Sequence, residues 1–232
     1  MKKIAIMGAM PEEVAPILKK IGTYKTTEYA GNKYYEATYN GVELVVAYSK
    51  IGKVFSTLTA TTMIEHFSCE VLLFSGVAGG INPELKIGDL IVATKLSQHD
   101  LDITVFGHPM GYVPEGSVFV ETDKDLLALS KEVADELGKN VIEGVIATGD
   151  QFVHDEKVKA NIVKHFNADA LEMEGGSVAV VCNALNIPFF ILRAISDTAD
   201  TDASFSFDEF MESSAIISAE FIMKMVDKVI SK

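Results

Sequence analysis

The hydrophobic residues of this chain cluster in short, continuous runs that have the length of buried strands. Six such runs are "KIAIMG", "VELVVAYS", "VLLFSGV", "DLIVATKL", "GVIATG" and "IPFFILRAIS". Because apolar residues do not alternate with polar ones, the runs predict strands that are covered on both faces. Helix-like segments lie between them, at Pro11 to Ile21, Val54 to Phe67, Asp123 to Leu137, Glu156 to Phe166, Gly175 to Leu185 and Phe207 to Ile230. This alternation predicts a mostly parallel sheet with helices outside it.

One segment near the start of the chain has a different pattern. In "TTEYAGNKYYEATYNGVEL" polar and apolar residues alternate, and turn signals occur at Gly31-Asn32 and Asn40-Gly41. Alternation between such turns predicts antiparallel hairpin strands on the same sheet. No linker, repeat or low-complexity stretch is visible, so we expect a single α/β domain over residues 1–232, with a central mixed sheet flanked by helices.

The composition argues against several classes of protein. The chain has 232 residues, of which 48% are hydrophobic, and this is enough for one sizeable core. The net charge of −13 argues against binding to nucleic acid or to an anionic membrane, because both repel negative charge. No run approaches the roughly 18 to 20 apolar residues of a membrane span. The start "MKKIAIMGAM" is too short for a signal peptide and predicts the first strand instead.

The cysteines and histidines do not form a metal-binding pattern. Cys69 and Cys182 lie in apolar contexts without metal or redox spacing, which indicates buried free thiols and a cytoplasmic location. The segment "QHDLDI" supplies His99, Asp100 and Asp102, but no second His or Cys cluster completes a site. We therefore expect no metal.

Polar residues that directly follow the apolar runs are the candidates for function, since ligands of parallel sheets bind outside the carboxyl ends of the strands. They are Glu12 and Glu13 after the first run, Gly76 to Gly80 after "VLLFS", Asp150 after "GVIATG", Glu172 and Glu174 after "ADAL", and Arg193, Ser196 and Asp197 at the last run.

For several of these residues a structural role is an alternative to a functional one. Pro11 suits the first position of a helix and acidic residues suit its first turn, which could by itself explain Glu12 and Glu13. Arg193 and Asp197 could form an ion pair, since a buried carboxylate needs either a partner or a task.

Two further motifs differ in how strongly they indicate function. In "ALEMEGGSVAVV", Glu172 and Glu174 flank Met173 at an apolar strand-to-helix corner, where one acid could start a helix but two are harder to explain. The glycines of "SGVAGGI" permit close approach of the backbone to a ligand, although turns would also explain them. No Gly-Lys-Ser/Thr follows, so this motif is not a P-loop.

Taken together and in order, "GAMPEEV", "SGVAGG", "TGDQFV", "LEMEG", "RAISDTAD" and "FSFDEF" resemble the 5′-methylthioadenosine/S-adenosylhomocysteine nucleosidases over essentially the whole chain. The resemblance implies a purine nucleoside phosphorylase-like fold, and usually a homodimer. It also implies a nucleoside substrate, no cofactor, and hydrolysis of the N-glycosidic bond of adenine nucleosides altered at the 5′ position.

By match to the family's motifs, Glu13 is the general base that activates water, and Asp197 is the general acid that protonates adenine at N7. For that role Asp197 must hold a proton near neutral pH, so we expect burial to raise its pKa. Glu174 would accept hydrogen bonds from the ribose hydroxyls, and Arg193 would help Glu13 to position the water. Ser196 would orient Asp197.

The resemblance implies roles for further residues of the pocket. Phe152 would stack on adenine, and the backbone of Val153 would bond the edge of the base. The rest of the predicted substrate-binding set is Met10, Ile51, Ala78, Gly79, Glu172, Met173 and Phe207. Loop residues that would reach the 5′ pocket of the neighbouring subunit are Ile103, Phe106 and Pro114.

Two details refine this resemblance. Val77 stands where some members of the family have Ser, which removes a hydroxyl from the region of the water. The stretches "YSKIGKVFSTLT", "TGDQFVHDEK" and "FGHPMGYVPE" look closest to the branch that also cleaves 6-amino-6-deoxyfutalosine, a menaquinone precursor.

Two other functions are alternatives to hydrolysis. A purine nucleoside phosphorylase shares the fold but needs cationic ligands for phosphate in the first loop, where "GAMPEEV" has none. A non-catalytic nucleoside-binding protein would tolerate loss of the acid or base, whereas this chain has Glu13, Glu174 and Asp197 together. Adenine release in the absence of phosphate would distinguish a hydrolase from both.

Overall fold

The apolar runs form one mixed sheet in the computed structural model, which describes residues 3–198 and 203–231. Its strands are β1 (Ile4–Gly8), β2 (Lys25–Tyr29), β3 (Asn32–Tyr39), β4 (Val42–Tyr48), β5 (Val71–Phe74), β6 (Val77–Gly80), β7 (Leu90–Gln98), β8 (Val120–Glu121), β9 (Val141–Thr148), β10 (Ala170–Glu172) and β11 (Phe189–Asp197). Their order across the sheet is β2-β3-β4-β1-β5-β11-β6-β10-β9-β7-β8. The predicted α/β fold with a central mixed sheet is confirmed.

The first half of the sheet combines a parallel centre with an antiparallel edge. Strand β1 lies parallel to both β4 and β5, and β5 lies parallel to β11. Strands β2, β3 and β4 pair antiparallel, as the alternating pattern predicts. The first turn was predicted one residue too late: it occupies Ala30 and Gly31, where both residues have positive φ, and Asn32 already belongs to β3.

The second half of the sheet curls back on itself around β11. That strand pairs parallel with β6 and antiparallel with β7, and the order β6-β10-β9-β7 returns to β11. The run "VLLFSGV" is therefore not one strand. Strand β5 pairs with the start of β11 and β6 pairs with its end, and Ser75 and Gly76 between them belong to neither strand.

Helices cover both faces of the sheet. In the described residues the α-helices are α1 (Pro11–Ile21), α2 (Lys53–Thr61), α3 (Lys124–Leu137), α4 (Glu156–Phe166), α5 (Gly175–Ala184) and α6 (Ala203–Ile230). The predicted helix from Val54 to Phe67 consists of α2 and a π-helical turn, Thr62–His66, and α6 begins before the predicted Phe207. None of the described helices is both long enough and apolar enough to cross a membrane.

The central strands, such as β1 and β11, are buried on both faces because each face packs against its own group of apolar side chains, whereas β2 at the edge of the sheet is mostly exposed. Alternate residues of β1 show this: Ala5 and Met7 belong to one core cluster, and Ile4 and Ile6 belong to the other. The prediction of buried free thiols is also confirmed. Burial raises the pKa of both Cys69 and Cys182 to about 12.

Segments that carry predicted site residues lie at the carboxyl ends of β1, β4, β9, β10 and β11. Glu13 follows β1, Ile51 follows β4, Phe152 follows β9, Glu174 follows β10, and Asp197 ends β11. These segments surround one cavity.

Candidate active site

A single cavity brings together residues from all of these segments. The predicted residues that line it are Met10, Glu13, Ile51, Ala78, Gly79, Phe152, Val153, Glu172, Met173, Glu174, Ser196, Asp197 and Phe207. Arg193 does not line the cavity and is 1% exposed, in contact with the lining residue Glu172. Sequence reasoning did not assign Ala9, Gln151 and Leu171, which also line the cavity; each of them is adjacent in the chain to a residue that it did assign.

Glu13 is held at the start of α1 by three backbone donors. Its Oε2 accepts hydrogen bonds from the N–H groups of Ala9, at 2.5 Å, and Met10, at 3.0 Å. Its Oε1 accepts from Val77 N–H at 3.1 Å. The bond from Met10 is that of an acid capping its own helix, so the structural role applies to Glu13 in part. The neighbouring Glu12 is exposed.

Burial raises the pKa of Glu13 above its usual value. The positive charge of Arg193 and the three backbone donors act in the opposite direction but do not cancel the effect of burial. Gly76 lies between the side chains of Glu13 and Arg193. A Cβ at that position would lie 3.0 Å from Glu13 Oε1 and 3.2 Å from Arg193 Nη1, so the site requires a glycine there.

Arg193 forms a buried ion pair with Glu172, whereas the structural alternative in the sequence paired it with Asp197. Its Nη2 lies 2.7 Å from Glu172 Oε2, and both side chains are almost fully buried. The same carboxylate accepts hydrogen bonds from Gly175 N–H, at 2.7 Å, and from the Thr148 hydroxyl. Glu172 therefore connects β9, β10, β11 and the start of α5.

Glu174 immediately precedes α5 and faces the cavity. Its Oε1 accepts a hydrogen bond from Gly52 N–H at 2.8 Å. Burial and the nearby charge of Glu172 raise the pKa of Glu174 to about 8, although the Gly52 donor and Arg193 favour its ionised form. The acid thus has a buried carboxyl group that binds a proton far more readily than an exposed one.

Asp197 is the last residue of β11. It is buried, and the Ser196 hydroxyl donates a hydrogen bond to its Oδ2 at 2.9 Å. The pairing of β11 with β6 shifts register between Ile195 and Asp197.

Aromatic side chains form the outer wall of the cavity. Phe152 is 44% exposed, and its ring meets that of Phe207 edge to face with centroids 5.7 Å apart. Val153, the next residue, is buried. An exposed ring next to a cavity can stack on a flat ligand without losing existing packing.

The loop residues predicted to serve a partner subunit lie away from this cavity. Phe106 belongs to a 3₁₀ turn, Thr104–Phe106, and is 77% exposed, with Val105 beside it also exposed. Pro114 is exposed and Ile103 is half-buried.

The acidic residues of "QHDLDI" have protein partners. Asp100 pairs with Lys53 at 2.6 Å, and Asp102 accepts a hydrogen bond from Thr104 N–H at 2.9 Å. Within residues 3–198 and 203–231, no three His, Cys, Asp or Glu side chains are grouped so that they could hold a metal ion.

Comparison with known proteins gives similarity over nearly the whole chain. The family model described as "Phosphorylase superfamily" matches residues 3–231. An aminodeoxyfutalosine nucleosidase from Campylobacter jejuni is 58% identical over 229 residues, which cover 99% of this chain and 100% of that protein.

Two solved structures from Helicobacter pylori are similarly close. The native structure of futalosine hydrolase from strain 26695 has a TM-score of 0.97 at 51% identity, covering 98% of each chain. A 5′-methylthioadenosine/S-adenosyl homocysteine nucleosidase, complexed with a substituted pyrrolidin-3-ol, has a TM-score of 0.96 at 51% identity and the same coverage.

We expect Glu174→Gln to flatten the pH dependence of stability in the ligand-free protein. The pKa of Glu174 is about 8 in the folded chain and roughly 4.3 when unfolded, so the folded state binds the extra proton between these values. The stability that this proton binding gives to the folded state is therefore lost as pH rises toward 8. Gln cannot titrate, so the free energy of unfolding should fall less between pH 5 and 8, by on the order of 1 kcal/mol or more.

Urea unfolding at pH 5, 6.5 and 8 measures this difference. Glu12→Gln, which removes an exposed acid next to Glu13 in the chain, is the control and should keep the pH dependence of stability of the parent protein. If the free energy of unfolding changed equally with pH in the parent and in Glu174→Gln, Glu174 would have to stay ionised in the folded protein throughout this range.

Proposed function

The chain belongs to the nucleosidases of the phosphorylase superfamily, and from this premise we propose that it hydrolyses the N-glycosidic bond of 5′-substituted adenine nucleosides. The proposed substrates are 5′-methylthioadenosine, S-adenosylhomocysteine and 6-amino-6-deoxyfutalosine, each of which would release adenine. The first two belong to methionine salvage, and the third to menaquinone biosynthesis. The observation that carries the proposal is the buried carboxylate of Glu13 in the first loop, on the same cavity as Asp197 and Glu174.

The leaving group needs a proton, and Asp197 is the proposed donor. Cleavage between ribose C1′ and adenine N9 leaves an oxocarbenium-like sugar and an adenine anion, which departs easily only when N7 is protonated. Burial favours the neutral form of a carboxyl group, which is the form that can donate. The Ser196 hydroxyl bonds Oδ2, so the same carboxyl group is held in one orientation.

The nucleophile is water, and Glu13 is the proposed base. Burial raises the pKa of Glu13, and a carboxylate with a raised pKa is a stronger base. Three backbone donors fix its orientation. Arg193 acts on Glu13 through its charge, and would favour the ionised form that accepts a proton from water.

Glu174 is proposed to hold the ribose. Gly52 N–H already bonds Oε1, which leaves Oε2 for the 2′ and 3′ hydroxyls. Donation by those hydroxyls favours the ionised form of Glu174, against the effect of burial. An ionised carboxylate beside the sugar attracts the positive charge that develops there, so the interaction strengthens as the bond breaks.

Phe152 and Val153 would bind the base, with Phe152 stacked on adenine. Met10, Ile51, Met173 and Phe207 would pack against the ribose and the 5′ substituent, and Ala78 and Gly79 would line the site with their backbone.

The site is poorly suited to the alternative functions. A phosphorylase must bind a phosphate anion, but the first loop presents Glu13, and the Arg193 guanidinium is already paired with Glu172. A protein that only binds nucleosides has no need for a general base and a general acid on one cavity.

We further propose that the enzyme is a cytoplasmic homodimer. Val105, Phe106 and the α2 residues Val54 and Phe55 expose large apolar side chains, which a second copy of the chain would cover. The loop carrying Ile103, Phe106 and Pro114 would then reach the 5′ pocket of the partner.

We expect adenine release from 5′-methylthioadenosine in a phosphate-free buffer that contains EDTA, because the proposed nucleophile is water and no metal takes part. Free adenine is measured by chromatography, and the same assay with S-adenosylhomocysteine and aminodeoxyfutalosine ranks the substrates by kcat/KM. A reaction that requires added phosphate or is stopped by the chelator would contradict hydrolysis as proposed.

We expect Asp197→Asn and Glu13→Gln each to lower kcat by at least about 10²-fold, the lower end for a positioned acid or base. Each change is nearly isosteric, but Asn cannot protonate N7 and Gln cannot take a proton from water. Binding of a non-hydrolysable nucleoside analogue should change much less, because the cavity walls remain.

Glu12→Gln is the matched control for Glu13→Gln and should keep kcat within about twofold, since Glu12 is exposed and makes no contact with the cavity. If Asp197→Asn kept more than about a tenth of the parent kcat, the barrier would have risen by under ~1.4 kcal/mol, and leaving-group protonation by Asp197 would be wrong.

We expect light scattering to give twice the mass of one chain, and Phe106→Asp to weaken the dimer while raising KM for 5′-methylthioadenosine. A charge at that position would have to be buried in the proposed interface. Ile216→Asp, which places the same charge at an exposed apolar position of α6, is the control and should change neither quantity. A fully active monomer would contradict the proposed dimer.

A further inference from the structure

Three charged residues, Lys53, Asp100 and Asp150, connect three segments of the chain beside the cavity. Lys53 Nζ lies 2.6 Å from Asp100 Oδ1, and the other oxygen of Asp100 accepts a hydrogen bond from Asp150 N–H at 2.9 Å. Asp150 in turn accepts from the backbone N–H of Lys53 at 2.8 Å. The result is a closed set of contacts between the start of α2, the end of β7 and the loop after β9.

Asp100 is well placed to hold this set together. Its side chain and that of Lys53 are each 18% exposed, so water screens their attraction less than on an open surface. Burial by itself would raise the pKa of Asp100. The donors Lys53 and Asp150 N–H outweigh it and lower the pKa, so both oxygens stay charged acceptors.

Two of these segments, the loop after β9 and the start of α2, lead directly to parts of the proposed site. The base loop (residues 150–153) carries Phe152 and Val153. On the other side of the ion pair, Gly52 precedes Lys53 and donates to Glu174 Oε1. A Cβ on Gly52 would lie 3.0 Å from Asp150 Oδ1, so the two loops are in direct contact.

His99 packs against the two residues that precede the base loop, Thr148 and Gly149. Its backbone N–H donates to Thr148 O at 2.8 Å, and its buried ring packs against Gly149, the residue before the base loop. Any side chain at position 149 would displace that ring. The residues after β7 thus contact the base loop through Asp100 and the two residues before it through His99.

We propose that the Lys53–Asp100 ion pair positions the base loop against the start of α2, and so sets the contacts that the site makes to adenine. Lys53 and Asp100 are positioning residues, because neither lines the cavity. The inference rests on the proposed role of Phe152 and Val153 in binding adenine.

The position of the ion pair determines which kinetic constant it affects. Glu13 is held by Ala9, Met10 and Val77, and Asp197 by Ser196, so neither depends on Lys53 or Asp100 for the contacts described above. Loss of the ion pair loosens contacts to adenine that are made equally in the ground and transition states. Such a loss raises KM and leaves kcat nearly unchanged.

The first test measures the order of the base loop directly. Hydrogen–deuterium exchange is compared in ligand-free parent protein, Lys53→Met and Asp100→Asn. We expect faster exchange of residues 149–153 in both variants. Lys25→Met is the control, because it removes an exposed ion pair, Lys25–Glu36, from the distant hairpin and should not change exchange in the loop.

The second test is kinetic and uses 5′-methylthioadenosine. We expect Lys53→Met and Asp100→Asn to raise KM by about tenfold or more while kcat changes less than about threefold. Lys53→Arg, which keeps the charge, should return KM to within about threefold of the parent. A residue that only stabilises the fold would show no such split between KM and kcat and no such rescue.

The outcomes separate the possibilities. Unchanged exchange in the base loop, or a KM within twofold of the parent for Asp100→Asn, would overturn the inference. If Lys53→Met does not fold, Asp100→Asn decides the question without altering α2. If the parent protein releases no adenine, the proposed function fails, while the exchange experiment still determines whether the ion pair orders the loop.

Discussion

The buried ion pair between Arg193 and Glu172 is the interaction on which the site depends. Removing two charges from water is costly, and the attraction between them offsets this only when other hydrogen bonds complete the carboxylate. Thr148, Gly175 and Glu174 provide those bonds, from the end of β9 and the start of α5. Four segments of the fold therefore meet at Glu172, and loss of either charge would leave the other buried and unpaired.

The same pair sets the electrostatics of the cavity. Glu13, Glu172 and Glu174 share one guanidinium, so carboxyl groups outnumber cations here. Burial and, after it, the nearby charge of Glu172 raise the pKa of Glu174. An excess of carboxylate repels phosphate and favours a positively charged sugar. One arrangement thus disfavours phosphorolysis and favours hydrolysis, which is how a nucleosidase can share its fold with phosphorylases that use a different nucleophile.

Much of the fold could be predicted because its signals are local. Continuous apolar runs become buried strands, Pro11 begins α1, and the segments from Glu156 and Gly175 become helices with nearly the predicted bounds. Predictions were wrong where distant contacts intervene. The run after Val71 divides at Ser75 and Gly76, beside the side chains of Glu13 and Arg193, which lie far away in the chain.

The sequence by itself determined the strand and helix pattern, the edge of the sheet at which function should be sought, and the residue types available there. Only the tertiary structure decided how those residues are used. It buried Glu13 against Val77 N–H while leaving Glu12 exposed, paired Arg193 with Glu172, and placed Lys53 on Asp100. The physical reason is that charge pairing and pKa depend on burial and on neighbours many residues apart, which local patterns along a chain do not encode.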